Sequence, residues 1–153
     1  SSGVHASRLL CRTLINSSGG RGIVLANTPQ ELVQAPLYTA YTRKSNEYRI
    51  HILRNEVIDI QEKRKQFDRP MIGDEKYIRN HSHGWVFCHE NVSCPEQAVY
   101  LATQVINKLG LDFGAVDLGV HGSNICVYEV NTAPGLEGQT LTKYGQAFNR
   151  LLS

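Results

Sequence analysis

Apolar and polar residues alternate along several short stretches of the chain. The segments "EYRIHIL" (47–53) and "EVIDIQEKRK" (56–65) alternate with a period of two, which predicts two half-buried strands joined by a tight turn. Two later runs, "AVDLGV" (115–120) and "ICVYEV" (125–130), predict a second hairpin. The central part of the chain is therefore predicted to form antiparallel β-structure.

Helical periodicity is clearest in "SCPEQAVYLATQVINKLG" (93–110), where apolar residues recur at intervals of three and four. A serine–glutamate capping pair opens this segment and a glycine closes it. "TPQE" (28–31) predicts a short helix that extends to about Gln34, and "TLTKYGQAFNRLL" (140–152) predicts a closing helix.

The first forty residues contain short apolar runs at 8–15, 23–26 and 37–42, which predict three strands. The stretch 66–91 has no clear period and is predicted to run irregularly over the surface. Hairpins and helices mixed in this way favour the α+β class, with helices packed against a largely antiparallel sheet.

Composition sets limits on partners. The 153 residues are enough for one domain with its own core, and a net charge of +2 is too small to imply a nucleic-acid partner. No apolar run approaches the length of a membrane span, and the first residues lack the layout of a signal peptide. The four cysteines show no paired spacing, which favours reduced thiols. We therefore expect a cytoplasmic protein without membrane or nucleic-acid partners.

Candidate chemistry begins with Asp117, Glu129 and Asn131. If residues 122–124 form a three-residue hairpin loop, Asp117 lies opposite Glu129, and all three side chains share one face. Such a cluster of oxygen donors suits Mg²⁺ or Mn²⁺. A four-residue loop would separate the two acids, and a solvated polar face remains the alternative interpretation.

The same register predicts the opposite face. Val116, Leu118, Tyr128 and Val130 would then be buried against the helix over residues 97–109 or its neighbour.

A glycine-rich loop lies between the first two predicted strands. "SSGGRG" (17–22) offers consecutive backbone N–H groups, two hydroxyls and a guanidinium, which together suit a polyphosphate. It is neither a Walker loop nor a dinucleotide-binding fingerprint. A simple hairpin tip is the alternative.

A rival metal site is present in "HSHGWVFCHENVSC". Its five potential zinc ligands are His81, His83, Cys88, His89 and Cys94. Their spacing matches no standard finger or ribbon, so surface histidines are the simpler interpretation.

Taken in order, "CRTLINSSGGRGIVLA", "NEYRIHILRNEVIDIQEKRK", "AVDLGV" and "YEVNTAPGLEG" resemble the ATP-grasp superfamily. The resemblance is greatest to its RimK-like carboxylate-amine ligases, phage relatives included. It implies an ATP-grasp fold with a small lobe at 1–42, which carries the glycine-rich loop, and a larger catalytic lobe with the metal site at 43–153. It also implies that this chain begins inside the small lobe, without the N-terminal domain usual in the family. The chain is then either a fragment or a minimal ATP-grasp core whose acceptor site is supplied elsewhere.

The resemblance implies a role for each matching residue. Asp117, Glu129 and Asn131 correspond to ligands of two Mg²⁺ ions on ATP, with Mn²⁺ as an alternative metal. The residues that correspond to ATP-binding positions are Arg12, Ser17, Ser18, Gly19, Gly20, Arg21, Gly22, Ala40, Tyr41, Glu47 and Lys63. Those that correspond to positions around the reacting groups are Arg49, Arg79 and Asn80. Arg12 replaces the usual lysine, and the acidic residue usual near Ala40 and Tyr41 is missing.

The implied reaction is amide formation. A substrate carboxylate attacks the γ-phosphate of ATP, and an amine then displaces phosphate from the acyl phosphate. The implied partners are ATP, a carboxylate substrate and an amine acceptor that is an amino acid, a peptide or a protein, and an oligomer is compatible with this. The alternative is a nucleotide-binding or interaction module of the same fold without ligase activity of its own.

Overall fold

The structure is a computed structural model that describes residues 8–14, 21–66, 70–71, 73 and 77–153. The described residues divide into two compact units. One consists of the described parts of Ser1–Arg43 and Arg64–Val86, and the other of Lys44–Lys63 and Phe87–Ser153.

The first unit contains a three-stranded antiparallel sheet. Its strands are β1 (Leu9–Arg12), β2 (Ile23–Ala26) and β3 (Leu37–Ala40), and β1 pairs with both others. Cys11 on the central strand is fully buried.

The helix predicted over residues 28–34 is only a short 3-10 helix, Pro29–Glu31. Thr28 makes no side-chain cap bond, and the Glu31 carboxylate instead accepts from the Asn27 backbone N–H at 2.9 Å. This bond to Asn27 takes the place of the capping pair between Thr28 and Glu31 that the sequence predicted.

The larger sheet has five strands in the order β6-β5-β4-β7-β8. Their bounds are β4 (Asn46–Leu53), β5 (Glu56–Lys65), β6 (Trp85–Cys88), β7 (Phe113–His121) and β8 (Asn124–Asn131). Strands β4, β5, β7 and β8 were predicted. β6 contradicts the prediction that 66–91 is irregular. It was missed because its apolar run "WVFC" lies alone within a stretch that has no clear period.

Two helices complete the second unit. Helix α1 (Glu96–Lys108) covers one face of the sheet and α2 (Gly138–Leu152) is the closing helix. Pro95, and not Ser93, is the N-cap of α1, and no side-chain cap bond forms there. Within the described residues, neither helix is long and apolar enough to cross a membrane.

The main core lies between the sheet and α1. Its buried residues are Tyr48, Ile50, Ile52, Ala98, Ala102, Ile106, Val116, Leu118 and Val120. A second, smaller cluster under α2 joins Tyr144 and Ala147 to Leu53 and Ile58. The predicted α+β class with largely antiparallel sheets is therefore confirmed.

Candidate functional site

The β7–β8 hairpin has a different turn from the predicted one. His121 pairs with Asn124, so Gly122 and Ser123 form a two-residue turn, with Gly122 in the left-handed region at φ 59°. Asp117 nevertheless pairs with Glu129, because a β-bulge next to Asp117 adds one residue to β8. The predicted turn was wrong, and the predicted pairing is confirmed.

The bulge also moves Tyr128 out of the predicted core face. Leu118 pairs with Val127 and Asp117 with Glu129, so Tyr128 is the extra residue. Its side chain is 38% exposed, and a Cβ built on Gly119 would lie 2.0 Å from its hydroxyl oxygen. The Tyr128 ring therefore lies over Gly119, on the same side of the sheet as Asp117. The prediction that Tyr128 packs under α1 was wrong, whereas Val116 and Leu118 are buried there and Val130 packs against them.

Polar side chains cover the sheet face opposite α1, which we call the polar face. Cross-strand pairs place them in rows, since paired residues point to the same side. One row is Gln61, Arg49, Asp117 and Glu129, and the next is Asp59, His51, Ala115 and Asn131. A further row contains Glu47 opposite Gly119, with Lys63 bonded to Glu47.

Arg49 and Asp117 form a two-pronged ion pair at the centre of the polar face. Arg49 Nε donates to Asp117 Oδ1 and Nη2 donates to Oδ2, each at 2.7 Å. Asp117 is only 8% exposed. Burial alone would lower the pKa of Arg49, but the bonds to Asp117 and the charge of Glu129 raise it, so the guanidinium stays charged.

Glu47 lies between two lysines. Its Oε1 accepts from Lys63 Nζ and its Oε2 faces Lys44 Nζ, both at 2.8 Å. Burial opposes ionisation of Glu47, but the two ammonium charges outweigh it and hold the pKa of this carboxyl below its usual value. Glu47 therefore fixes the position of the Lys63 ammonium on the polar face.

The oxygen donors on this face fit a hard divalent cation. Asp117 and Glu129 are paired carboxylates, and Asn131 contributes an amide oxygen that also accepts from the Ala133 N–H at 2.9 Å. Carboxylate and amide oxygens are the ligands that Mg²⁺ prefers. Among the described residues no three His, Cys, Asp or Glu side chains form a metal cluster, so Asn131 is needed to complete the set.

The rival zinc ligands are not gathered in the described part of the chain. Cys94 packs against the main core, and burial, with a contribution from the charge of Glu62, raises the pKa of its thiol to about 11. His89 lies 3.3 Å from Asp59, measured from Nδ1 to Oδ2. These two side chains therefore have structural partners of their own.

Helix α2 is attached to the sheet through Asp59. Thr140 Oγ1 donates to Asp59 Oδ2 at 2.6 Å, and Lys143 donates to Oδ1. Burial would raise the pKa of Asp59, but the bonds from Lys143 and Thr140 lower it. Next to this group, the buried His51 Nδ1 lies 3.1 Å from the Tyr144 hydroxyl. Burial lowers the pKa of His51, and burial together with the charge of Asp59 raises the pKa of Tyr144 to about 12.

Of the predicted site residues that the structure describes, seven lie in the first unit. They are Arg12, Arg21, Gly22, Ala40, Tyr41, Arg79 and Asn80. Ser17, Ser18, Gly19 and Gly20 lie outside the described residues. Arg12 and Ala40 are exposed strand ends, and the Gly22 carbonyl accepts from the Thr13 N–H at 2.7 Å.

Within the first unit, the Tyr41 and Tyr77 rings meet edge to face, with centroids 5.4 Å apart. Burial raises the pKa of Tyr41, although the charge of Arg79 opposes this. Arg79 stacks on Trp85, with its Cζ 4.5 Å from the ring centroid. The Asn80 amide oxygen accepts from Ser82 Oγ and from the His83 N–H, so it caps the 3-10 helix His81–His83.

Two residues of the polar face were not predicted from the sequence. Phe87 on β6 has its ring centroid 4.3 Å from Arg49 Cζ and 5.0 Å from Lys63 Nζ. Lys44 pairs with Glu47 and lies 4.7 Å from the Tyr128 ring centroid. The aromatic and β-branched run "WVFC" is the signal that could have identified the strand carrying Phe87.

No protein-family model matches the chain. No curated protein matches it either. Among solved structures, D-alanine–D-alanine ligase from Bacillus anthracis superposes with a TM-score of 0.63 at 14% identity, over 94% of this chain and 49% of that one. The ATP-grasp ligase PsnB, complexed with a phosphomimetic variant of its minimal precursor, Mg and ADP, gives a TM-score of 0.59 at 8% identity, over 94% and 47% of the two chains.

The chain thus spans about half the length of these solved ligases. At such low identity the likeness establishes the fold alone. The chain has the α+β ATP-grasp fold, as predicted from its motifs.

Proposed function

We propose that the chain is an ATP-dependent ligase that joins a carboxylate to an amine. The observation that carries this proposal is the polar face, where Asp117, Glu129 and Asn131 share one side of the sheet with Arg49 and Lys63. Binding of a nucleoside triphosphate requires oxygen ligands for its divalent cation and, beside them, positively charged side chains held in place. The ATP-grasp fold gives this combination its context.

Asp117, Glu129 and Asn131 would hold magnesium, two ions on the family pattern, with manganese as the alternative metal. The metal supplies neutralisation of the charge on the phosphates. Arg49 and Lys63 are the protein's own contribution to the same task, and both contact the Phe87 ring. Arg12 and Arg79 of the first unit are proposed to contribute further positive charge.

The remaining ATP contacts follow the family pattern. Residues 17–22, with Arg21, are proposed to bind phosphate through backbone N–H groups, and Ala40 with Tyr41 to bind adenine. Glu47 is proposed to contact the ribose. A carboxylate oxygen has more than one lone pair, so Glu47 can accept a ribose hydroxyl while it keeps its lysines.

The proposed reaction has two steps. A substrate carboxylate oxygen bonds to the γ-phosphorus while the bond to the β-bridging oxygen breaks, which releases ADP and leaves an acyl phosphate. The amine nitrogen then bonds to the acyl carbon, phosphate leaves, and the nitrogen gives up a proton. Positioning and charge neutralisation account for most of the catalysis in such phosphoryl transfers. Asn80 is proposed to act indirectly, by holding the segment that follows Arg79.

We propose membership of the RimK-like group because "EVNTAPGLEG" follows its pattern. The expected partners are ATP, a carboxylic acid and an amine carried by an amino acid, a peptide or a protein.

A substrate screen tests the proposal. The whole chain is incubated with ATP and Mg²⁺ and with pairs of amino acids and peptides, and D-alanine is included because one solved ligase of this fold acts on it. ADP, phosphate and the mass of any product are measured. We expect one ADP to be released for each amide formed, and we expect the Asp117→Asn variant to produce neither ADP nor amide. ADP release without an amide, or activity unaffected by Asp117→Asn, would contradict it.

A further inference from the structure

Arg49 holds Asp117 more tightly than any exposed ion pair would. Both carboxylate oxygens of Asp117 accept from one guanidinium at 2.7 Å. The two side chains are only 23% and 12% exposed, so water screens their attraction weakly. Each oxygen of Asp117 is therefore already engaged by a cation of the protein itself.

A second contact keeps the guanidinium in this position. Arg49 Cζ lies 4.3 Å from the Phe87 ring centroid, a cation–π contact that Lys63 shares from 5.0 Å. Two positive groups thus lie against one aromatic ring beside the Asp117 carboxylate.

A divalent cation bound to Asp117 would lie within a few ångströms of this guanidinium. The two positive charges repel each other, so the full Arg49–Asp117 pair and a bound metal oppose one another. Phosphate offers the guanidinium an equivalent partner, because its oxygens match the two-pronged donor as well as a carboxylate does.

We infer that Arg49 competes with the divalent cation for Asp117, and that nucleotide phosphates release Asp117 to the metal by taking over the guanidinium. The inference rests on the proposed function and adds a coupling to it. Metal and nucleotide bind cooperatively, and the metal binds weakly to the protein alone. Arg49 is thus a positioning residue for the metal site.

Manganese binding without nucleotide provides the test. Free Mn²⁺ is measured by electron paramagnetic resonance during titration of the wild type and of Arg49→Gln, which removes the charge and keeps a polar side chain. We expect the variant to bind Mn²⁺ about tenfold more tightly than the wild type, since one competing ligand is gone. ATP should then tighten Mn²⁺ binding by a smaller factor in the variant than in the wild type.

Three further variants separate this effect from a general change of charge or fold. Arg54→Gln removes an exposed arginine paired with Asp112 at 3.4 Å and should leave Mn²⁺ affinity unchanged. Arg49→Lys keeps the charge but loses the two-pronged geometry, and should raise Mn²⁺ affinity by a smaller factor than Arg49→Gln. In the double variant Arg49→Gln with Asp117→Asn the gain should disappear.

The outcomes distinguish this inference from the proposed function. Suppose that the wild type binds Mn²⁺ with ATP, but that Arg49→Gln without ATP binds Mn²⁺ no more tightly than the wild type does. Arg49 then does not compete with the metal for Asp117, and the proposed function stands. If neither protein binds Mn²⁺ with ATP, the proposed function itself fails. An equal gain in Arg54→Gln would reduce the effect to net charge and overturn the inference.

Discussion

At the scale of single residues, the carboxylates of the polar face have different partners. Asp117 is paired with Arg49, and Glu47 is paired with Lys44 and Lys63. Glu129, by contrast, is exposed and makes no hydrogen bond or ion pair among the described residues. Its charge can therefore be removed without breaking a bond that holds the fold.

Glu129→Gln should weaken binding of Mn²⁺ with ATP by about 10- to 100-fold, because a charged metal ligand becomes neutral. The melting temperature should stay within a few degrees of the wild type. Calorimetric titration and thermal melting measure the two effects. Glu96→Gln, an exposed acid on α1, is the matched control and should leave the affinity unchanged.

An unchanged affinity in Glu129→Gln would remove this residue from the metal site. A large loss of thermal stability would instead show that Glu129 supports the fold.

At the scale of elements, the β7–β8 hairpin shows what sequence patterns can and cannot predict. Alternation identified both strands, and an assumed three-residue loop led to the pairing of Asp117 with Glu129, which the structure shows although that loop was wrong. It did not predict that a two-residue turn and a bulge together produce this pairing. A bulge depends on what the extra residue packs against, here Tyr128 over Gly119, and a period-two pattern carries no such information.

Gly119→Ala should test this packing. Its Cβ would lie 2.0 Å from the Tyr128 hydroxyl, so the ring must move, and we expect a loss of about 1 kcal/mol in the free energy of unfolding. In a protein that already carries Tyr128→Ala, Gly119→Ala should lower the free energy of unfolding by a smaller amount. Urea unfolding of the four proteins gives the coupling energy.

Gly145→Ala is the matched control for this series. Apart from its chain neighbours and the backbone of α2 itself, no atom of the described residues lies within 4 Å of the position that an alanine methyl group would take there. Alanine should therefore stabilise the helix by up to about 1 kcal/mol. Equal costs of Gly119→Ala with and without Tyr128 would show that the ring does not occupy this space.

Across the described part of the molecule, the sequence predicted the fold class, seven of the eight strands within a few residues at each end and both α-helices. β1 was predicted too long, and β6 was missed because its short apolar run lies alone within a stretch that has no clear period. The site was predicted less completely. Asp117, Glu129 and Asn131 carry a spacing signal, whereas the contact of Arg49 with Asp117 crosses 68 residues and depends on the strand order.

The stability of the protein should fall as the pH drops below about 6.5, the usual pKa of histidine. Burial lowers the pKa of His51, so the unfolded chain takes up a proton there before the folded protein does, and acid favours unfolding. His51→Gln should flatten this part of the profile of unfolding free energy against pH. Asp59 acts in the same direction at lower pH, below about 3.8, since its pKa is also lowered in the fold.

The control is His81→Gln, which alters an exposed histidine and should keep the wild-type profile. A His51→Gln profile as steep as that of the wild type would mean that other groups cause the acid dependence.

We propose above that a nucleotide and its metal bind on the polar face of the second unit. Paramagnetic Mn²⁺ added with ATP locates the metal directly, because it broadens the amide signals of nearby residues in a nuclear magnetic resonance spectrum. We predict that the signals of Asp117, Glu129 and Asn131 are lost first and that those of α1, on the opposite face, persist. Broadening centred on other residues, or no broadening at all with ATP present, would show that the metal does not bind on the polar face.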